Sequence, residues 1–175
     1  MGKFFFFIVS LIVLIIGIQA YYYGIEHDKY CRTINVDPKD WQYVQRKMKS
    51  RDPYNVIHLD QDLLNYFLEK AQQDEMVDYE ICARIDPLRN RLQLFLAKSP
   101  LWWFTITIKS SEEKPYIQVT NITYGVIPLP GFIQKTLQSE IVNNYRTYFE
   151  KKIPMRNIEK LEIQDGELII YTKYY

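Results

Sequence analysis

Residues 76–98 read MVDYEICARIDPLRNRLQLFLAK, a stretch in which the hydrophobicity of the side chains repeats with a period of two residues. Apolar side chains alternate with polar ones from Val77 to Ile85, which predicts a strand with one buried face. A turn over residues 87–90 leads into a returning strand over 91–98, whose leucines share one face. The stretch therefore predicts an antiparallel hairpin at the centre of the fold.

More strands are predicted farther along the chain. A third strand is expected over residues 102–109 and a fourth over 116–124, since apolar and polar residues alternate in both. Asp165-Gly166 lies between two further apolar runs, 157–164 and 167–173, and this dipeptide is the strongest hairpin signal in the chain. These successive hairpins predict an antiparallel sheet.

Helices are predicted on both sides of these strands. Asp37-Pro38 and Asp60 are typical helix starts, and they predict helices over 37–50 and 60–73, separated by a short apolar run over 54–59. After GVIPLPG (125–131), apolar residues recur every four positions to about residue 152, which predicts a long amphipathic helix. Its length would be about 30 Å.

Residues 4–20 form a separate, uncharged segment. Seventeen residues from Phe4 to Ala20 carry no charge, and with Tyr21, Tyr22 and Tyr23 they would span about 30 Å as a helix. We interpret the segment as a transmembrane anchor with tyrosines at the interface. A signal peptide cleaved after Ala20 and a buried core helix stay open as alternatives.

The sequence also bears on the orientation of this segment in the membrane and on the redox state of the two cysteines. Lysine and arginine flank both ends of the segment, so charge counting favours neither orientation. Large domains translocate largely regardless of charge, and we therefore expect a cytoplasmic N-terminus and an extracytoplasmic C-terminal domain. Cys31 and Cys82 would be free to pair there, but two thiols are also consistent with no bond.

The charge balance and the motifs of the chain indicate neither catalysis nor a nucleic-acid partner. Lys+Arg (22) nearly balances Asp+Glu (21), which gives no electrostatic reason to expect a nucleic-acid partner. Neither His27 nor His58 has a partner at metal-ligand spacing, and there is no serine elbow or glycine-rich phosphate loop. We predict no catalytic residues, no metal and no cofactor, and the chain is interpreted as a non-enzyme.

Leu101-Trp102-Trp103-Phe104 is the cluster that suggests a binding role. Strict alternation directs Trp102 and Phe104 to the core and Trp103 to the opposite side. Core packing with one exposed indole is one interpretation. The other is an aromatic wall of an apolar ligand groove or a surface that dips into a membrane, because an exposed Trp is costly without a use.

The order of several features resembles a known group. They are the N-terminal anchor, the Asp62-Leu63-Leu64-Asn65 helix start, the Gly125, Pro128 and Pro130 junction before a long helix, and the Asp165-Gly166 hairpin followed by Leu168. In this order the chain resembles the YpmS-like and LmeA-like membrane-anchored envelope proteins, which are similar to tubular lipid-binding (TULIP-like) domains. The resemblance covers roughly residues 54–175. It implies a strongly curved sheet that wraps a long helix and leaves a groove for acyl chains.

Together these observations predict an α+β protein, with about six antiparallel strands curved around a long amphipathic helix. The expected parts are an anchor (1–23), a tether with a short helix (24–53) and an extracytoplasmic domain (54–175). We expect that domain to bind a lipid or other apolar ligand between sheet and helix; the alternative is a structural or assembly subunit with an envelope protein as partner. The candidate groove residues are Trp102, Trp103, Phe104, Phe132, Ile133, Leu137, Ile141 and Tyr145.

Overall fold

The computed structural model describes residues 2–31, 34, 36–75, 78–113, 117–140 and 156–174. The chain is α+β, as predicted. Its helices are α1 (Gly2–Tyr30), α2 (Pro38–Lys49), α3 (Gln61–Glu75) and α4, which is described over 131–140. Its strands are β1 (Tyr54–Leu59), β2 (Glu80–Asp86), β3 (Arg91–Ser99), β4 (Trp102–Ser110), β5 (Ile117–Tyr124), β6 (Ile127–Pro128), β7 (Arg156–Gln164) and β8 (Glu167–Tyr174).

The predicted helix starts and the final turn are confirmed. The Asp37 carboxylate accepts a hydrogen bond of 2.8 Å from the backbone N–H of Lys39, and Asp60 accepts one of 2.8 Å from Leu63. Such caps satisfy N–H groups that have no partner within the helix. Asp165 and Gly166 both have positive φ, 51° and 84°, as the turn of a two-residue hairpin requires.

The described strands form two antiparallel sheets, whereas the sequence predicted one sheet of about six strands. One sheet has the order β2-β3-β4-β5-β6 and follows the chain. The other has the order β1-β8-β7, so the strand before α3 pairs with the strand that follows the final turn. Hydrophobic alternation identifies strands but not distant partners, which is why the second sheet was missed.

A single large core joins the two sheets. Buried residues from β1, β7 and β8 share one cluster with the inner face of the five-stranded sheet and with α2 and α3. Leu129 and Leu137, just before and within α4, pack against the same cluster. Both sheets and the described part of α4 therefore bury their apolar faces together.

Side-chain amides of α3 cover the edge of β2. Asn65 donates to the carbonyl of Ala83 (2.9 Å) and accepts from its N–H (2.6 Å). Gln72, two helical turns later, bonds the N–H and the carbonyl of Ile81 in the same way, at 3.0 Å each. These two amides replace a neighbouring strand, and they block the pairing of β2 with another chain along these residues.

Two predictions about helix ends have different outcomes. Residues 24–30 were expected to belong to a polar tether, but they continue α1 as a helix up to Tyr30. The long helix predicted to reach about residue 152 is confirmed over 131–140. Ile141 and Tyr145, two of the predicted groove residues, lie outside the described residues.

Candidate functional site

The end of α1 packs on the outer face of the five-stranded sheet. The ring of Tyr30 stacks on Phe95, with centroids 5.7 Å apart and planes 9° apart. Tyr23 contacts Phe95 and Trp103, at centroid distances of 5.9 and 6.4 Å. Together with Cys82 and Ala97, these rings form a second buried cluster. α1 and the sheet are thus joined by an aromatic layer.

A disulfide fixes this contact. Cys31, directly after α1, is bonded to Cys82 of β2. The pairing that the sequence left open is therefore formed in the structure. It closes the chain over a separation of 51 residues and holds the last turn of α1 against the sheet.

α1 then crosses the strands toward the turn between β5 and β6. A Cβ added to Gly125 would lie 1.9 Å from Oε1 of Gln19, so the Gln19 side chain rests on the backbone of this turn. From Cys31 back to Gln19 a helix rises about 18 Å, and four strand spacings from β2 to β6 measure about 19 Å. α1 consequently runs across the sheet and leaves it beside β6.

Trp103 is covered by this helix, which corrects one expectation. It faces away from the main core, as alternation predicts, but only 1% of it is exposed because α1 lies over it. Phe104 faces the main core and packs against it. Trp102, expected in the core, is 43% exposed at the start of β4, where its ring contacts Phe104 at 5.1 Å. The exposed indole is therefore Trp102.

The predicted groove residues of α4 occupy different environments. Leu137 is half-buried and packs against the core, and Ile133 is also half-buried. Phe132 is 73% exposed. The structure therefore brings Phe104 and Leu137 together on one core and leaves Phe132 in solvent at the start of the helix.

Large apolar side chains are exposed at the end of the sheet where β4 begins and β5 turns into β6. The phenol of Tyr124 donates a hydrogen bond of 2.6 Å to the carbonyl of Leu101, which ties this end together. We call the following exposed residues the apolar end: Leu101, Trp102, Val126, Ile127 and Phe132. Leu101, Trp102 and Phe132 were named from the sequence, but Val126 and Ile127 were missed, since isolated apolar residues in turns carry no periodic signal.

Polar groups gather near the disulfide, on the face of α1 that contacts the sheet. His27 Nε2 lies 3.1 Å from Glu80 Oε2, and the Cys31 sulfur is close to both. That sulfur is bonded to Cys82, so it is not a thiolate that could bind a metal. A nearby cavity of about 190 Å³ is lined by polar side chains of α3 and β2, namely Asn65, Glu69, Gln72 and Glu80, and in equal number by Cys31, Ile34, Ile81 and Cys82. This cavity does not correspond to the predicted apolar groove.

No family model, no curated protein sequence and no solved structure matches this chain. The resemblance to YpmS-like and LmeA-like proteins therefore stays a prediction. Function is therefore inferred from the arrangement of α1, the two sheets and α4.

The second cluster is the part of this arrangement that sequence reasoning missed. Phe95 lies on the face of β3 opposite its three leucines, where a solvated strand would carry a polar residue. Ala97 and Trp103 continue the same apolar face on β3 and β4. Three apolar residues on the supposedly solvated face were a signal that something covers it.

Proposed function

We propose that the protein is a membrane-anchored, extracytoplasmic domain that binds the acyl part of a lipid, or a similar apolar ligand, between the five-stranded sheet and α4. We propose that the ligand follows a path along β4 and α4 from the core to the apolar end, and the observation that carries the proposal is the set of apolar residues on these two elements. Leu137 and Leu129 pack on the core at half-buried positions and Phe104 packs on the same core, whereas Phe132 on α4 and Trp102 on β4 are exposed. Ligand sites for apolar molecules are lined in this way.

The anchor and the location have separate support. Within α1, Ile8–Tyr30 is long and apolar enough to cross a membrane, and its side chains through Ile18 are exposed. The Cys31–Cys82 disulfide fits an oxidising compartment, because cytosolic thiols are kept reduced. We therefore propose a cytoplasmic N-terminus with the sheets on the opposite side of the membrane.

Photo-cross-linking tests the lipid proposal. The full-length protein is placed in phosphatidylcholine nanodiscs that contain a trace of a phospholipid with a diazirine in its acyl chain, and adducts are mapped by mass spectrometry. We expect adducts at Phe104, Leu129 and Leu137, inside the path. Leu137→Trp should fill the path and lower the adducts at the other two residues several-fold.

Thr136→Trp is the matched control, because Thr136 lies on the exposed side of α4 next to Leu137. It should leave the adducts unchanged. Adducts confined to surface residues, with none at Phe104 or Leu129, would contradict a ligand path. Cross-links to a second protein at these positions would instead favour the role of an assembly subunit.

A further inference from the structure

We propose that the apolar end inserts into the outer boundary of the bilayer, so that the domain is attached to the membrane at a second place besides α1. The partner of this surface is the lipid bilayer itself. The inference rests on the anchor in the proposed function, but it does not require a ligand between sheet and α4.

The position of Gln19 sets the depth of the apolar end. Lys3 is the last charge before the span, and Glu26 is the next one. If the hydrocarbon layer begins at Phe4, about 20 helical residues fill its roughly 30 Å, and the layer ends near Tyr23. Gln19 then lies about 6 Å inside that boundary.

The contact between α1 and the sheet brings β6 to the same depth. Gly125 rests against Gln19, and Val126 and Ile127 follow it directly. With α1 along the membrane normal, the strands run parallel to the membrane. Counting from β6 back to β2, each strand lies about 4.8 Å farther from the membrane than its neighbour. The turn before β6 is therefore about 6 Å inside the boundary, β4 with Trp102 is about 10 Å farther out and so just beyond the boundary, and β2 is the farthest strand.

The charges of the domain agree with this depth. No Asp, Glu, Lys or Arg occurs in residues 115–134, which contain β5, β6 and the start of α4, or in residues 99–108, which contain most of β4. The strands that would lie farther out carry charges, including Glu80, Arg84 and Asp86 on β2. A charge in the acyl layer costs several kcal/mol, so its absence from these two segments is what insertion requires.

The exposed side chains have the chemistry of an interfacial anchor. Trp and Phe are favoured at the boundary between acyl chains and water, and Trp102 and Phe132 are the exposed aromatic residues of the apolar end. On α1, Tyr21 and Tyr22 are exposed just beyond Gln19. The apolar end would extend this aromatic belt sideways from the membrane helix.

Quenching by brominated lipid tests the insertion. Ile127→Trp is made in the full-length protein, which is reconstituted in phosphatidylcholine nanodiscs with or without bromine on the acyl chains. The emission of the parent protein is subtracted. Insertion by about 5–10 Å would bring the added indole against brominated carbons, so its emission should be blue-shifted and fall about twofold or more.

Leu88→Trp is the matched control, because Leu88 is 95% exposed in the turn after β2, on the strand farthest from the membrane. Its added emission should not be quenched. Phe132→Trp, at an exposed site, repeats the test if the first variant folds poorly. Equal quenching at positions 127 and 88 would overturn the proposal. A blue shift without bromine quenching would also overturn it and would indicate that a protein covers the apolar end.

Discussion

Gly125→Ala tests the contact between Gln19 of α1 and the turn before β6. The new methyl group would lie 1.9 Å from the Gln19 Oε1 atom, roughly 1.5 Å closer than an ordinary contact. Gly125 also has a φ of +56°, where an L-residue loses about 1–2 kcal/mol. Displacing the Gln19 side chain from its rotamer adds about 0.5–1.5 kcal/mol. We expect Gly125→Ala to lower the free energy of unfolding by about 1.5–3.5 kcal/mol.

A double-mutant cycle separates the two contributions. In a Gln19→Ala background the clash is gone and only the backbone strain remains, so Gly125→Ala should destabilise by about 1–2 kcal/mol. The difference between the two backgrounds is the energy of the contact itself. Gln19 Oε1 has no hydrogen-bond partner among the described residues, so Gln19→Ala alone should have a small effect.

Urea unfolding of the full-length protein in detergent micelles measures these energies. Tryptophan fluorescence reports the transition, because Trp103 is buried beneath α1. Gly24→Ala, also on α1, is the control: a methyl group there would meet nothing within 4 Å, and stability should stay the same or rise slightly. If Gly125→Ala has the same cost in both backgrounds, within about 0.3 kcal/mol, the contact with Gln19 does not exist as described.

Three other predictions concern the rest of the domain. Replacing both Cys31 and Cys82 with Ala removes a cross-link over 51 residues, and urea unfolding under oxidising conditions should show a loss of about 4 kcal/mol; no loss would mean that the bond does not form. Asn65→Ala leaves two buried backbone groups of β2 without partners, which should lower the free energy of unfolding by about 2–4 kcal/mol. The uncovered edge of β2 should also promote self-association, which light scattering measures. A variant that stays monomeric would contradict the role of Asn65 in covering this edge. Hydrogen bonds from Lys160 and from Tyr171 lower the pKa of Glu162 in the folded protein. The stabilisation from Glu162 is therefore present above the ordinary carboxyl pKa and is lost as pH falls through the lower folded value. Carboxyl NMR should show the pKa of Glu162 rising in Tyr171→Phe.

Local features of the fold could be predicted because neighbouring residues determine them. The strands from β2 to β5 follow from period-two alternation and short turns, and the caps at Asp37 and Asp60 follow from side chains that bond nearby N–H groups. The Asp165-Gly166 turn is equally local. Each of these depends on a few adjacent residues, so one sequence suffices.

Features that depend on distant contacts could not be predicted. The pairing of β1 with β8 joins segments more than a hundred residues apart, and nothing in either segment identifies the other. Whether Trp103 is exposed depends on α1 lying over it, which required the helix to continue past residue 24. The candidate site divides in the same way: Phe104 and Leu137 were named from the sequence and pack on one core, whereas the contact between α1 and the sheet was not predicted.

The strand order β1-β8-β7 has a consequence for how the protein is made. β8 is the central strand of this sheet, so β1 has no partner until residues 167–174 have emerged. At about 5–20 residues per second, the apolar strand containing Ile57 and Leu59 would wait on the order of 5–20 s during synthesis. The strand pairing of β2 to β6 and the Cys31–Cys82 bond involve no later segment and can form first, although the shared core is completed only by β7 and β8. Folding would thus proceed from a first half that the disulfide fixes to α1 to a second half that closes only when β8 has been synthesised.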